Sequence, residues 1–226
     1  MIPRIVLHNE VSLDGRMDWF TPDIGQYYEL AGTWPADAIL AGSETILSAP
    51  EQIPDTEVTI PAPDDRQKNP SLPLLVVPDS RGRIQNWDFW KYQPYWRDVV
   101  VLCSQATPGT YLEYLQEHAI DHITAGDDQV DLPLALEELT ARYGVKLVRV
   151  DSGGTLNGVL LRAGLVDEVS LLIDPCLVGG TSSRSFFRAP DLTAAEGILP
   201  LKLVHCEEVK GGVVWLRYEK LTHAKE

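Results

Sequence analysis

The chain opens on Arg4-Ile-Val-Leu-His-Asn-Glu-Val11, an apolar-rich run of strand length, followed by Ser12-Leu-Asp-Gly15, whose Asp-Gly signals a turn. Further short β-rich runs stand at Ala38–Ala41, Leu74–Val77, Val99–Leu102, Lys146–Val150 and Glu168–Ile173. They are too short and too uniformly apolar for half-exposed hairpins, and predict strands buried on both faces. Between several of them lie helix-like stretches, Thr110–His118, Leu132–Tyr143 and Leu156–Ala163; in the second, Leu132, Leu136, Leu139 and Tyr143 recur at helical spacing. Such alternation predicts an α/β fold with a mainly parallel sheet flanked by helices. The ending differs: Leu199–Cys206 and Val213–Glu219, joined through Gly211-Gly212, predict an antiparallel pair at a sheet edge, with no helix between them. The proline-rich stretch from Ser48 to Pro73 has no sustained period and reads as a long surface excursion of the kind that often binds ligands.

With no repeat, linker or low-complexity tract, the 226 residues are expected to form a single domain, 1–226. An apolar fraction of 44% and a charged fraction of 23% are ordinary for globular chains and exclude disordered and fibrous classes. Cys103, Cys176 and Cys206 are odd in number and far apart, which points away from a disulfide framework and toward a reducing, cytoplasmic setting. No apolar run reaches the roughly 18 residues of a membrane span. Met1-Ile-Pro leads straight into strand-like sequence, so no signal peptide is expected.

Charge changes this picture. Thirty-three acids against 19 bases give a net charge of −14, and such a surface repels nucleic acid and anionic membranes. The bases are unevenly spread: Arg16 alone lies between Glu10 and Ala62, whereas Arg66, Lys68, Arg81 and Arg83 fall close together. That cluster is either solvated loop charge or a local exception built for an anion.

In open parallel sheets ligands bind beyond the carboxyl ends of the strands. Three strand ends here carry anion-binding chemistry. Asp151-Ser-Gly-Gly-Thr-Leu-Asn157 runs into a helix, so its glycines and helix N-terminus suit a phosphate; equally, it is a tight strand-to-helix turn with Thr155 as N-cap. Gly42-Ser-Glu-Thr45 is a second glycine with hydroxyls, or an ordinary capped helix start. Pro78-Asp-Ser-Arg-Gly-Arg83 sets Ser80 beside Arg81 or Arg83. Together they suggest a dinucleotide, with a ribose phosphate accounting for the Ser-Arg pair. Other templates are missing: there is no nucleophile elbow, Walker-type phosphate loop or Cys-x-x-Cys, and His118 and His122 lack a third metal ligand nearby, so no metal is expected. The three cysteines read as core or near-core thiols, His8 as a satisfied core histidine, and Trp87, Trp90 and Trp96 as packing. The loop Gly179-Gly-Thr-Ser-Ser-Arg184 is a further ligand contact or a flexible connection.

These pieces resemble the C-terminal reductase domain of riboflavin-biosynthesis deaminase/reductases and its stand-alone relatives, which share the dihydrofolate-reductase-like fold. The resemblance rests on Val11-Ser-Leu-Asp-Gly-Arg16, Asp37-Ala-Ile-Leu-Ala-Gly-Ser-Glu-Thr45, Leu75-Val-Val-Pro-Asp-Ser-Arg-Gly-Arg83, Asp151-Ser-Gly-Gly-Thr-Leu-Asn157, Gly164-Leu-Val-Asp-Glu168 and Ile173-Asp-Pro175 with Gly179-Gly180, and spans nearly the whole chain. It implies an NADPH-dependent reductase that opens the ribose of a phosphoribosylamino-pyrimidine to a ribityl chain by hydride transfer to C1′, and a homodimer through the C-terminal strands. Carried over, it places Gly42 and Thr45 near the cofactor phosphates, Ser80 and Arg81 on the adenosine 2′-phosphate, and Gly153, Gly154, Thr155, Leu156 and Asn157 around the pyrophosphate and nicotinamide. Asp151 stands where the family has a substrate-facing glutamate and is the implied catalytic group; Asn9 and Asp14 are implied near the nicotinamide and substrate, Asp14 also as the residue that fixes the turn. The chain departs from the family at Thr45-Ile-Leu-Ser-Ala-Pro50, where Asp-Asp-Pro and an arginine usually follow the threonine, and at Thr33-Trp-Pro-Ala-Asp37, where another arginine is usual. Arg16, Arg66, Lys68 or Arg184 would then stand in for the missing phosphate ligands, or the substrate is another pteridine-like or carbonyl compound. A nucleotide-binding protein without catalysis is the remaining reading.

Overall fold

The computed structural model describes residues 1–48, 69–181 and 184–221; most of the proline-rich stretch, with Arg66 and Lys68, lies outside the described residues, as do Ser182 and Ser183. The chain gathers into two compact units, Met1–Pro3 with Ala36–Val148 and Arg4–Pro35 with Arg149–Glu226.

The first unit alternates strand and helix: β2 (Ala38–Leu40), α2 (Ser43–Ser48), β3 (Leu74–Pro78), α3 (Trp87–Lys91), β4 (Asp98–Cys103), α4 (Gly109–Glu117), β5 (Asp121–Thr124) and α5 (Leu132–Tyr143), after which β6 (Leu147–Val150) carries the chain into the second unit. Its strands pair in parallel in the order β5-β4-β3-β2. On one face Leu75, Val77, Val99, Val101 and Cys103 join Trp87, Trp90, Tyr111 and Leu115 in a buried cluster. The alternate strand residues Leu74, Val76, Val100 and Leu102 are buried as well. Burial of both faces is why these strands read as uninterrupted apolar runs. α5 has the limits its periodicity predicts: Asp131 caps it by accepting from the Leu134 N–H (3.0 Å), and Gly144 ends it at φ 68°. Asp37 starts β6, its carboxylate accepting from the amides of Lys146 (2.8 Å) and Leu147 (2.9 Å).

The second unit holds β1 (Arg4–Ser12), α1 (Ile24–Ala31), α6 (Gly154–Arg162), β7 (Glu168–Asp174), β8 (Leu201–Glu208) and β9 (Val214–Lys220). β1 runs parallel to β7, while β7–β9 and β8–β9 are antiparallel, as the C-terminal pattern predicts. A single 3-10 turn, Lys210–Gly212, joins the last two strands, with Gly211 at φ 82° and Gly212 at φ 76°. β1 buries more polarity than its apolar look suggests, taking His8, Asn9, Glu10 and Ser12 inside. Each needs partners there. His8 is held by Ser170 Oγ (3.0 Å) and the Tyr27 carbonyl (3.1 Å), as expected of a core histidine. Glu168, fully buried on β7, accepts from Arg4 (2.7 Å), Arg217 (2.6 Å) and Trp34 (3.2 Å).

Several expectations need correction. Cys103 is buried and Cys176 half-buried, but Cys206 is exposed, because β8 is an edge strand whose residues are nearly all open to solvent. Thr155 does not cap α6: Gly153 occupies that position and Thr155 lies inside the first turn. The elements missed by periodicity are short or weakly patterned: α1 begins Ile-Gly-Gln and carries two tyrosines, α3 has five residues, and β5 has four, two of them Asp121 and His122. Trp87 and Trp90 pack in the core as expected.

Burial lowers the His8 pKa from 6.5 to about 4, against the opposing pull of the Tyr27 carbonyl. The folded protein therefore keeps His8 neutral where the unfolded chain already binds a proton. The stability this difference supplies is complete above pH 6.5 and is lost as pH falls toward 4. Urea unfolding between pH 7 and pH 4.5 should show a decline of which roughly 2 kcal/mol belongs to His8. In His8→Gln, which keeps a donor and an acceptor but does not titrate, the slope should be shallower; equal slopes would refute the assignment.

Candidate active site

At the carboxyl end of β3 the chain winds around a buried carboxylate. Asp79 Oδ2 accepts from the amides of Arg83 (2.8 Å) and Ile84 (2.9 Å) and from the Tyr111 hydroxyl (3.0 Å), which in turn accepts from Trp87 Nε1 (2.8 Å). Gly82 turns the loop at φ 63°, and a Cβ there would fall 2.6 Å from the Tyr111 ring, so no other residue fits. The turn leaves Ser80 half-buried and Arg81 exposed. The Ser80 carbonyl is fixed by Thr107 Oγ1 (3.0 Å).

The two arginines of this loop separate in role. Arg83 reaches the start of α2, pairing with Glu44 (2.6 Å) and donating to Ser43 Oγ (2.8 Å), and so braces the loop after β2. Arg81 has no partner among the described residues, which leaves a cation and the Ser80 hydroxyl for an incoming anion. Gly42 is half-buried, its carbonyl taking the Ile46 N–H (3.2 Å), and Thr45 is exposed on α2.

In the second unit Asp151 follows β6 and is held bidentately by Arg149: Nε to Oδ1 and Nη2 to Oδ2, both 2.9 Å. Burial is the strongest influence on Arg149 and disfavours its charge, but the hydrogen bonds and charge of Asp151, with Tyr27 and Tyr28, together outweigh it and raise the Arg149 pKa. The sequence reading missed Arg149, although its place two residues before Asp151, on the same side of the strand, was a usable signal. Gly153 caps α6 in an extended conformation, no side chain caps that helix end, and a Cβ on Gly153 would meet nothing within 4 Å. The start of α6 is thus uncapped, with open space beside Gly153. Gly154 is explained differently: a Cβ there would lie 1.9 Å from the Ser185 carbonyl oxygen, and one on Gly158 1.8 Å from that of Arg188. These two glycines admit the protein's own chain.

Asn157 and Asn9 both point inward. Asn157 Nδ2 donates to Asn9 Oδ1 (2.8 Å) and the Phe186 carbonyl (2.8 Å), and Asn9 Nδ2 donates to the Ser152 carbonyl (2.9 Å). Asp14 fixes its turn and more: it accepts from Ser12 Oγ (2.6 Å) and from the amides of Val178 (3.1 Å) and Gly179 (2.6 Å), bonds that lower its pKa to about 2. Arg16 donates to the Gly180 carbonyl and the Leu13 amide to that of Cys176 (2.9 Å), so the loops after β1 and β7 are stitched at several points. Arg184 is largely exposed and lies 3.8 Å from Asp18. His118 pairs with Asp88 (2.6 Å) while His122 lies on β5, and no group of three possible metal ligands occurs among the described residues. No helix among them is long and apolar enough to cross a membrane.

The family profile described as "RibD C-terminal domain" matches residues 3–215. The chain is 30% identical over 199 residues to the 2,5-diamino-6-ribosylamino-4(3H)-pyrimidinone 5′-phosphate reductase of Methanothermobacter thermautotrophicus, covering 82% of this chain and 83% of that one. Among solved structures it is similar to a pyrimidine reductase-like protein from Corynebacterium diphtheriae, with a TM-score of 0.73, 20% identity and coverage of 97% and 92%. It is also similar to Acinetobacter baumannii RibD, with a TM-score of 0.71, 22% identity and coverage of 97% of this chain; it spans 58% of that longer protein.

Because Asn157 joins α6 to β1 and to the chain at Phe186, Asn157→Ala strands the Asn9 oxygen and the Phe186 carbonyl. We expect a loss of about 1–3 kcal/mol in urea unfolding, together with faster amide exchange at Gly153–Leu156. A stable variant with unchanged exchange would mean the amide is not what holds the loop.

Proposed function

The chain belongs to the RibD C-terminal domain family, and from that premise we propose that it is a riboflavin-pathway reductase acting on a phosphoribosylamino-pyrimidine of the kind named for the Methanothermobacter relative. Reductase relatives imply a reduced nucleotide cofactor. The finer choice of NADPH rests on the unpaired Arg81 beside Ser80, a cation and a hydroxyl in position for a 2′-phosphate on a surface that is otherwise acidic. The uncapped start of α6 and the open space at Gly153 fit a pyrophosphate. When bound, the nicotinamide supplies a hydride.

The chain's own residues supply binding and orientation. Ser80 and Arg81 hold the 2′-phosphate, Gly42 and Thr45 the neighbouring phosphates, and the amides of Gly154, Thr155 and Leu156 the pyrophosphate. Gly153 leaves the approach open, and Asn157 holds that turn from behind. Asp151, aimed by Arg149, faces the substrate at the ribosylamine carbon, where a carboxylate stabilises positive charge on the imine that accepts the hydride. Asn9 and Asp14 shape the substrate side, the first through the Ser152 carbonyl, the second through the loop after β7. The family match crosses both units, which supports reading 1–226 as one reductase domain. Free cysteines accord with a cytoplasmic setting. The exposed apolar edge at Leu201, Leu203 and Val204 supports a homodimer through the C-terminal strands, and sedimentation at twice the chain mass checks it.

The deciding assay is consumption of NADPH with the diaminopyrimidinone ribotide. Turnover is expected, with Arg81→Ala weakening NADPH about 10- to 100-fold while leaving NADH nearly unchanged. Asp151→Asn should lower turnover far more than cofactor affinity. Tight NADPH binding with no turnover of this substrate would favour a different substrate or a non-catalytic role, and equal loss of both dinucleotides in Arg81→Ala would remove the 2′-phosphate assignment.

A further inference from the structure

Two buried hydroxyls from a neighbouring element grip the loop after β3. Thr107 stands just before α4 and Tyr111 in its first turn; they are 5% and 4% exposed, so neither is open to a ligand. Each hydroxyl has one proton to give. Tyr111 already accepts from Trp87 Nε1 (2.8 Å), so its proton goes to Asp79 Oδ2 (3.0 Å). Thr107 Oγ1 already accepts from the Ser104 amide (2.9 Å), so its proton goes to the Ser80 carbonyl (3.0 Å). Both protons are thereby spent on the loop after β3. Burial holds the Tyr111 pKa well above its ordinary value, which keeps the phenol a donor.

These contacts bracket Ser80 and Arg81. On one side Asp79, tied to Tyr111, gathers the amides of Arg83 (2.8 Å) and Ile84 (2.9 Å). On the other, the Gly82 amide donates back to the Asp79 carbonyl (3.1 Å), and the Tyr111 ring lies so close to Gly82 that a Cβ would come within 2.6 Å of it. Between them Thr107 pins the Ser80 carbonyl. The backbone around Arg81 is fixed, while its guanidinium has no partner among the described residues. A loop held in this way presents a cation and a hydroxyl without the loss of freedom that a loose loop suffers on binding. Ring packing alone does not require the hydroxyls, because Phe and Val would fill the same space.

We propose that Tyr111 and Thr107 are positioning residues for nucleotide selectivity. They hold the loop after β3 in the conformation in which Ser80 and Arg81 meet a ribose 2′-phosphate together, although neither touches the nucleotide. This role rests on the 2′-phosphate reading of Ser80 and Arg81, and adds that the preference is set from the start of α4, outside the loop that binds.

The test titrates the full chain calorimetrically with adenosine 2′,5′-bisphosphate and, separately, adenosine 5′-monophosphate; the ratio of the two Kd values isolates the 2′-phosphate. The wild-type protein should bind the bisphosphate more tightly. Tyr111→Phe, which keeps the ring and removes the hydroxyl, should weaken the bisphosphate about tenfold and the monophosphate little, and amide exchange at Arg83 and Ile84 should quicken. Thr107→Val should act in the same direction, whereas Thr107→Ser, which keeps the hydroxyl, should restore the wild-type ratio. With Arg81→Ala already present, Tyr111→Phe should no longer change the ratio. Equal weakening of both nucleotides marks a role in stability alone. That result, or a wild-type ratio in folded Tyr111→Phe and Thr107→Val, overturns the positioning role and leaves the 2′-phosphate assignment standing. A wild-type protein that does not distinguish the two nucleotides removes that assignment and the positioning role together.

Discussion

Asn157 is wholly buried and donates both hydrogens of its amide, one to Asn9 on β1 and one to the carbonyl of Phe186. The carboxyl edge of its unit depends on this arrangement. A buried amide left without acceptors costs far more than a surface one, so α6, β1, the turn at Ser152 and the chain near Phe186 are held to one mutual geometry. Gly154 and Gly158 make that geometry reachable by letting two carbonyls approach closer than any Cβ would allow. With α6 fixed, its uncapped start is held in place from the interior.

The first unit solves a related problem by other means. There a buried carboxylate, Asp79, gathers the backbone of the loop after β3, and Arg83 binds that loop to the start of α2. One arginine is consumed in scaffolding, and the other, Arg81, has no partner among the described residues. In a chain of net charge −14 the distinction matters more than the count of bases, because a paired arginine adds little to the field an anion feels. Arg149 follows the same logic with the roles exchanged: it is committed to Asp151, and its effect is to aim that carboxylate.

Much of this was legible in the sequence where the signal was periodic or chemical. Uniform apolar runs marked β3 and β4, and helical spacing marked the limits of α5. What stayed hidden depended on contacts between distant residues. Nothing local in Gly154 distinguishes a glycine that admits a ligand from one that admits Ser185. Asn9 and Asn157 look like ligand-binding amides until their mutual bond is seen, and the apolar appearance of β1 gave no hint that His8, Asn9 and Glu10 would all be buried. Cys206 was misplaced because an edge strand and a central strand share one pattern when the edge has an exposed apolar face.

The close contacts at Gly154 and Gly158 also set how this region can change over time. Their partners are carbonyl oxygens of Ser185 and Arg188, main-chain atoms that every amino acid possesses. The side chains from 185 to 188 are thus free to drift with little effect on the docking of α6, but an inserted or deleted residue would shift the carbonyls out of register with the helix. Homologous chains should therefore keep the length of this segment more faithfully than its composition, and the two glycines more faithfully than either.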